Sequence, residues 1–168
     1  METFYNLAER FIWSGIAAAG FGILFNVPSR SLFSAGLLGA FAGLIKFPMI
    51  MSGVNIILAS LAAATFVGFI SVPLAHRVHT PPFVFSIPAI IPMIPGYFAY
   101  KMILGLFNLT VASSLSENAD LMFSVFNNGL KMIFILFSIS IGVSLPMLIS
   151  RRQTVKNLSI KKLKKIIQ

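Results

Sequence analysis

The chain has 168 residues, of which 57% are hydrophobic and only 10% charged, and its mean hydropathy is +0.92. Soluble domains are roughly 45–50% apolar, so the chain reads as an all-α integral membrane protein with no room for a soluble catalytic module. The formal charge of +9 does not point to nucleic acid, because seven of the thirteen Lys and Arg follow Ile149 and no basic folded domain carries them; the absence of Cys excludes disulfides and thiolate metal sites.

A spanning helix needs about 20 predominantly apolar residues, so the length holds four or five spans in one transmembrane domain, residues 1–150, followed by a basic cytoplasmic tail, 151–168. The start, "METFYNLAERFIW", carries two Glu and one Arg before the first apolar run. That is unlike the basic start of a cleaved signal peptide, and the segment is expected to stay in the mature protein. Span one runs from about Phe11 to Val27 and is ended by Pro28. Span two covers about Leu32 to Phe47 and is bounded by Pro48. Span three, near Val54 to Ala75, precedes "HRVH". Span four is the proline-rich stretch from Phe83 to Phe107. Span five begins near Leu130 and stops at Arg151 and Arg152.

Cytoplasmic loops carry the excess of Lys and Arg, which places the tail inside. Five spans then put the N-terminus outside, with nine basic residues inside against four outside: Arg10, Lys46, Lys101 and Lys131. Four spans fit if the proline stretch dips in and returns to one face. Between spans four and five, Ser116 is a candidate cap for a short helix that turns at Asn127 to Gly129. Small residues at every fourth position, Ala35, Gly39 and Gly43 in span two and Ser60, Ala64 and Gly68 in span three, let helix backbones approach closely, inside the chain or at a subunit interface.

The stretch "FVFSIPAIIPMIPGYFAYK" carries the chemistry. Pro88, Pro92 and Pro95 lack amide hydrogens and leave the carbonyls of Val84, Pro88 and Ile91 without helical partners. Unsatisfied backbone at membrane depth survives only where protein or a water-filled cavity surrounds it. Gly96 tolerates turn conformations, and a new helix can start there whose amide end suits a carboxylate. Freed carbonyls upstream suit an ammonium or a cation, the arrangement that discontinuous helices serve in transporters. Tyr97 and Tyr100 add hydroxyls beside their role as interfacial anchors, and Lys101 adds a cation that meets substrate or reaches the outer interface.

Other polar residues are weaker candidates. Asn26, before Pro28, caps loose backbone groups or contacts substrate; Asn55 reads as interfacial. Lys46 would cost about 2.5–3.5 kcal/mol at the bilayer centre and is expected to snorkel to the outer surface. His76 and His79 have no third ligand in sight, and a charged loop explains them better than a metal. No acid pair lies within a span, so proton coupling through a buried acid would need another subunit, unless Glu9 or His76 serves. In the tail, Ile160, Leu163 and Ile167 share one helical side and Lys161, Lys162, Lys164 and Lys165 lie elsewhere, which suits an anionic inner leaflet.

"FGILFNVPSRSLFSAGLLGAFAG" together with "PPFVFSIPAIIPMIPGYFAYKMI" resembles the threonine/serine exporter family in its small-subunit type, which also occurs as the C-terminal half of longer exporters. The "FNVP" turn and the "IPxIPG" run are its specific parts. The resemblance implies a subunit of a bacterial inner-membrane exporter that works with a larger helical partner. It would release small hydroxy amino acids or, in some members, a dicarboxylate such as succinate, with no cofactor. The matching positions are Asn26, Pro28, Pro88, Pro92, Pro95, Gly96 and Tyr100. Combined with the reading of the residues, the expected solute site is Asn26, Pro88, Pro92, Pro95, Gly96, Tyr97, Tyr100 and Lys101. A scaffold that only stabilises a transport-competent partner is the alternative; an enzyme is disfavoured, because no nucleophile, acid pair or metal set converges.

Overall fold

The computed structural model describes residues 2–111 and 119–167, with the backbone alone for 2–4 and 151–167. Among these residues there is no strand. Six α-helices follow one another: α1 (Glu2–Leu24), α2 (Ser29–Met51), α3 (Ile56–Val78), α4 (Phe83–Ile90), α5 (Gly96–Val111) and α6 (Ala119–Ile167), with a 3₁₀ turn, Ile91–Met93, between α4 and α5. Four segments, Tyr5–Leu24, Ser29–Met51, Ile56–Val78 and Ala119–Ser150, are each long and apolar enough to cross a membrane; Phe83–Met93 and Gly96–Val111 qualify as one pair bent by 51°. The expected all-α architecture with a discontinuous fourth segment is therefore present.

Several boundaries differ from the reading because proline and asparagine act through their neighbours. α1 starts at Glu2 rather than near Phe11. It ends where Asn26 turns left-handed (φ 57) and the Val27 amide donates back to the Gly22 carbonyl at 2.9 Å. Pro28, extended at φ −53 and ψ 136, then opens α2. Pro48 does not bound α2 but lies inside it near the end, where the Ser52 amide still closes onto the Pro48 carbonyl at 2.9 Å. Asn55 is the N-cap of α3, its Oδ1 accepting from the Ile57 amide at 2.9 Å. His76 is exposed in the last turn of α3, and His79 closes that helix in the left-handed conformation.

The largest difference is α6, which begins at Ala119 and runs straight through Asn127 to Gly129. Asn128 Nδ2 donates to the Ser124 carbonyl one turn back at 2.7 Å, so the amide is satisfied without a chain reversal. The expected Ser116 cap falls outside the described residues. The α6 backbone continues helically into the tail, whose side chains also fall outside the description.

Both rows of small residues pack within the chain. On α2, Gly39 lies against Ala18 and Gly43 against Ser14 of α1. On α3, Gly68 meets the backbone of α6 so closely that a Cβ there would stand 2.8 Å from the Val143 carbonyl oxygen, and Gly142 is as tight against Leu61 and Thr65. A core of Leu38, Ala42, Val67, Phe85, Ala89 and Ile135 joins α2, α3, α4 and α6.

These contacts also fix directions. Gly142 lies opposite Leu61 to Thr65, while Gly68 lies opposite Gly142 to Pro146, so numbers rise together and α3 runs parallel to α6. Two parallel spanning helices require the chain to return across the membrane between them. The bent α4–α5 pair is the apolar segment available for that return, which favours five spans over four. In contrast, Gly105 lies against Val125 and Gly129 against Met102, so α5 and the start of α6 form an antiparallel hairpin.

Candidate functional site: the broken fourth span

Pro88 is tolerated inside α4, and Pro92 falls in the 3₁₀ turn. The break itself is made at Ile94, which is extended (φ −58, ψ 134) because a residue before proline is pushed out of the helical region. Pro95 then offers its carbonyl to the Phe98 and Ala99 amides, both at 3.1 Å, and α5 begins at Gly96. Gly96 is not left-handed; the turn is set by Ile94 and Pro95 rather than by glycine.

The accounting of acceptors corrects the expectation. Ile91, expected to be left free, accepts from the Ile94 amide at 3.0 Å, and Ile94 accepts from Gly96 at 2.8 Å. The acceptor that needs help is Met93, whose helical donor would have been the Tyr97 amide. Lys46 Nζ from α2 supplies it at 3.0 Å.

Lys46 was expected to snorkel outward. Instead it is buried, with 7% of its surface exposed, on the same stripe of α2 as Ser31, Ala35 and Ala42. Tertiary packing overrides snorkelling because α4 brings an acceptor within reach. Among the described residues no carboxylate pairs with this ammonium, and its one hydrogen bond uses one of three donors. Arg10 of α1 holds its guanidinium 4.4 Å from the ring centroid of Phe47, next to Lys46 in the chain. The same core also buries the hydroxyls of Ser31, Ser60 and Ser86 on α2, α3 and α4 with no hydrogen-bond partner.

The expected site residues do not converge. Pro88 is buried near Gly22 of α1, Pro95 is buried and Pro92 half-buried at the break, and Gly96 is exposed with open space around its α-carbon. Tyr97 and Tyr100 are 64% and 63% exposed, and Lys101 Nζ rests 5.2 Å from the Tyr97 ring centroid on its own helix. Asn26 lies at the α1–α2 turn, roughly 25 Å from Lys46 along α2, and its side chain makes no hydrogen bond among the described residues. Pro92, Pro95 and Gly96 meet at the break. The residue that sequence reasoning passed over is Lys46, and its signal was an ionisable group inside an apolar segment. An apolar groove between α1 and α2, lined by Phe11, Gly15, Ile16, Gly36 and Ala40 among others, lies away from these polar groups.

The family model described as Threonine/Serine exporter, ThrE matches residues 10–149. The chain belongs to the threonine/serine exporter family. No solved structure matches it. Membership gives this multi-pass membrane protein a threonine/serine exporter-type role in transport. The part that matches the exporter model takes in the break, Lys46 and Arg10 and leaves out the basic tail.

Proposed function

We propose that the chain is one subunit of a bacterial inner-membrane exporter of small carboxylate solutes, either threonine/serine-type amino acids or a dicarboxylate such as succinate, working with a larger helical membrane subunit. The observation that carries this reading is the broken fourth span, where backbone polarity is released beside a buried cation in a member of a transport family. Irregular backbone at such depth is tolerated where it lines a route rather than lipid. In this reading the solute passes the break, with Pro92, Pro95 and Gly96 shaping the backbone and the amide end of α5 facing the carboxylate. Tyr97, Tyr100 and Lys101, exposed on α5, line the route from the partner's side.

The exposed apolar surface of the α5–α6 hairpin, including Ile103, Phe107, Phe123 and Phe126, supports a helical partner. The open setting of Gly96 also favours the second reading, a scaffold that holds a transport-competent partner. Efflux of labelled serine, threonine and succinate is measured from cells with this chain, with the partner, and with both. Export that needs both is expected; normal flux from the partner alone would favour the scaffold.

In this reading the N-terminus is outside and the basic tail lies on the anionic cytoplasmic leaflet, an orientation supported by the excess of Lys and Arg after Ile149 and by an odd number of crossings. Because the chain has no Cys, single Cys substitutions report this directly. Ser29→Cys should react with an impermeant thiol reagent only from the cytoplasmic side, and Ser52→Cys only from outside; the reverse labelling would invert the topology.

A further inference from the structure

Among the described residues the ammonium of Lys46 has no carboxylate to meet. We infer that Lys46 is the residue that receives the solute's carboxylate, and that the Met93 carbonyl is its resting partner. This rests on the transport reading above and moves the recognition point from the exposed amide end of α5 to the interior of α2.

A buried charge without a counter-charge is costly, and an ionisable group inside a membrane segment persists where it has work to do. Lys46 is buried, is unpaired by any carboxylate among the described residues, and bonds only to a backbone carbonyl. That carbonyl is free because the helix breaks one residue later. The bond to Met93 is already charge-assisted from the donor side, but a carboxylate also brings the counter-charge that the neutral carbonyl lacks, so an arriving carboxylate outcompetes Met93. The second cation nearby, Arg10 over Phe47, adds to the attraction for an anion at this end of α1 and α2. Occupation would release the Met93 carbonyl, so binding and the geometry of the break are linked through one side chain.

Substitution separates recognition from support. Lys46→Gln keeps an N–H donor for Met93 but removes the charge, Lys46→Arg keeps the charge, and Lys46→Met removes both. In whichever setting the wild type exports, chain alone or with the larger subunit, the KM for L-threonine is expected to rise about tenfold or more in Lys46→Gln and Lys46→Met, the equivalent of about 1.4 kcal/mol. It is expected to stay close to wild type in Lys46→Arg. A mere strut gives the other order, with Gln as good as Arg and only Met impaired, and that result overturns the assignment. The purified full chain is tested in parallel by its unfolding midpoint with L-threonine, succinate and threoninol, which lacks the carboxylate. The two carboxylates should raise the midpoint of the wild type and Lys46→Arg, while threoninol should not; equal shifts by threoninol, or no shift of the wild type, overturn the proposal even if Lys46→Gln cannot be recovered. Carboxylate binding through Lys46 without export in any setting would instead sink the transport reading and leave the assignment standing.

Discussion

Gly68 and Gly96 sit in two spans of one bundle and do opposite things. At Gly68 the backbone of α6 is so near that no side-chain atom fits; at Gly96 a Cβ would meet nothing within 4 Å. The first region is closed because two helices with no hydrophobic drive between them in lipid gain their attraction by backbone approach. The second is open because Ile94 and Pro95 have taken the chain out of the helix, and a lysine from α2 has taken up the carbonyl left over. Smallness is the requirement in one place, and the missing amide hydrogen in the other.

That contrast can be broken most severely at the seam. Gly68→Leu drives a side chain into the Val143 carbonyl and should cost about 3 kcal/mol or more, read as a large drop in unfolding midpoint or loss of monodisperse protein; a wild-type midpoint would mean the seam is not as close as described. At the break, Pro95→Ala returns an amide to the Ile91 carbonyl and frees Ile94 to become helical. Export should fall five- to tenfold at equal membrane abundance, about the 1–1.4 kcal/mol of one backbone hydrogen bond, and undiminished flux would detach the bend from transport. A smaller effect of opposite sign is expected at Ser86→Ala, which removes an unpartnered buried hydroxyl and should raise stability by about 1 kcal/mol. A loss of stability there would show that the hydroxyl is bonded. Smallest of all is Gly96→Ala, with stability expected within about 0.5 kcal/mol of wild type and export within a factor of about two; a collapse of export at unchanged stability would place another molecule against that open α-carbon.

The seams were legible because small residues four apart fall on one helix face whatever the helix packs against. The break was legible too, since Pro95 constrains Ile94 locally. Proline alone misled elsewhere: Pro48 lies inside α2, where the amides that follow still find carbonyls one turn back. Asn127 to Gly129 reads as a turn, yet Asn128 bonds within its own helix and Gly129 admits Met102. Lys46 could not be placed, because its acceptor is 47 positions away and only the packing of α4 on α2 brings the two together. The same holds for Asn26, whose turn geometry was local but whose distance from the break depends on the length of α2.

The separation between Lys46 and Met93 also has a consequence for biogenesis. A ribosome adding about 5–20 residues each second inserts α2 with its ammonium several seconds before the carbonyl that will hold it has been made. For that interval the second helix has no carbonyl of α4 to hold its ammonium, and the eight-residue α4 is too short to anchor itself while it waits for α5. Assembly of this end of the protein is therefore governed by the order in which its parts leave the ribosome as much as by their final fit.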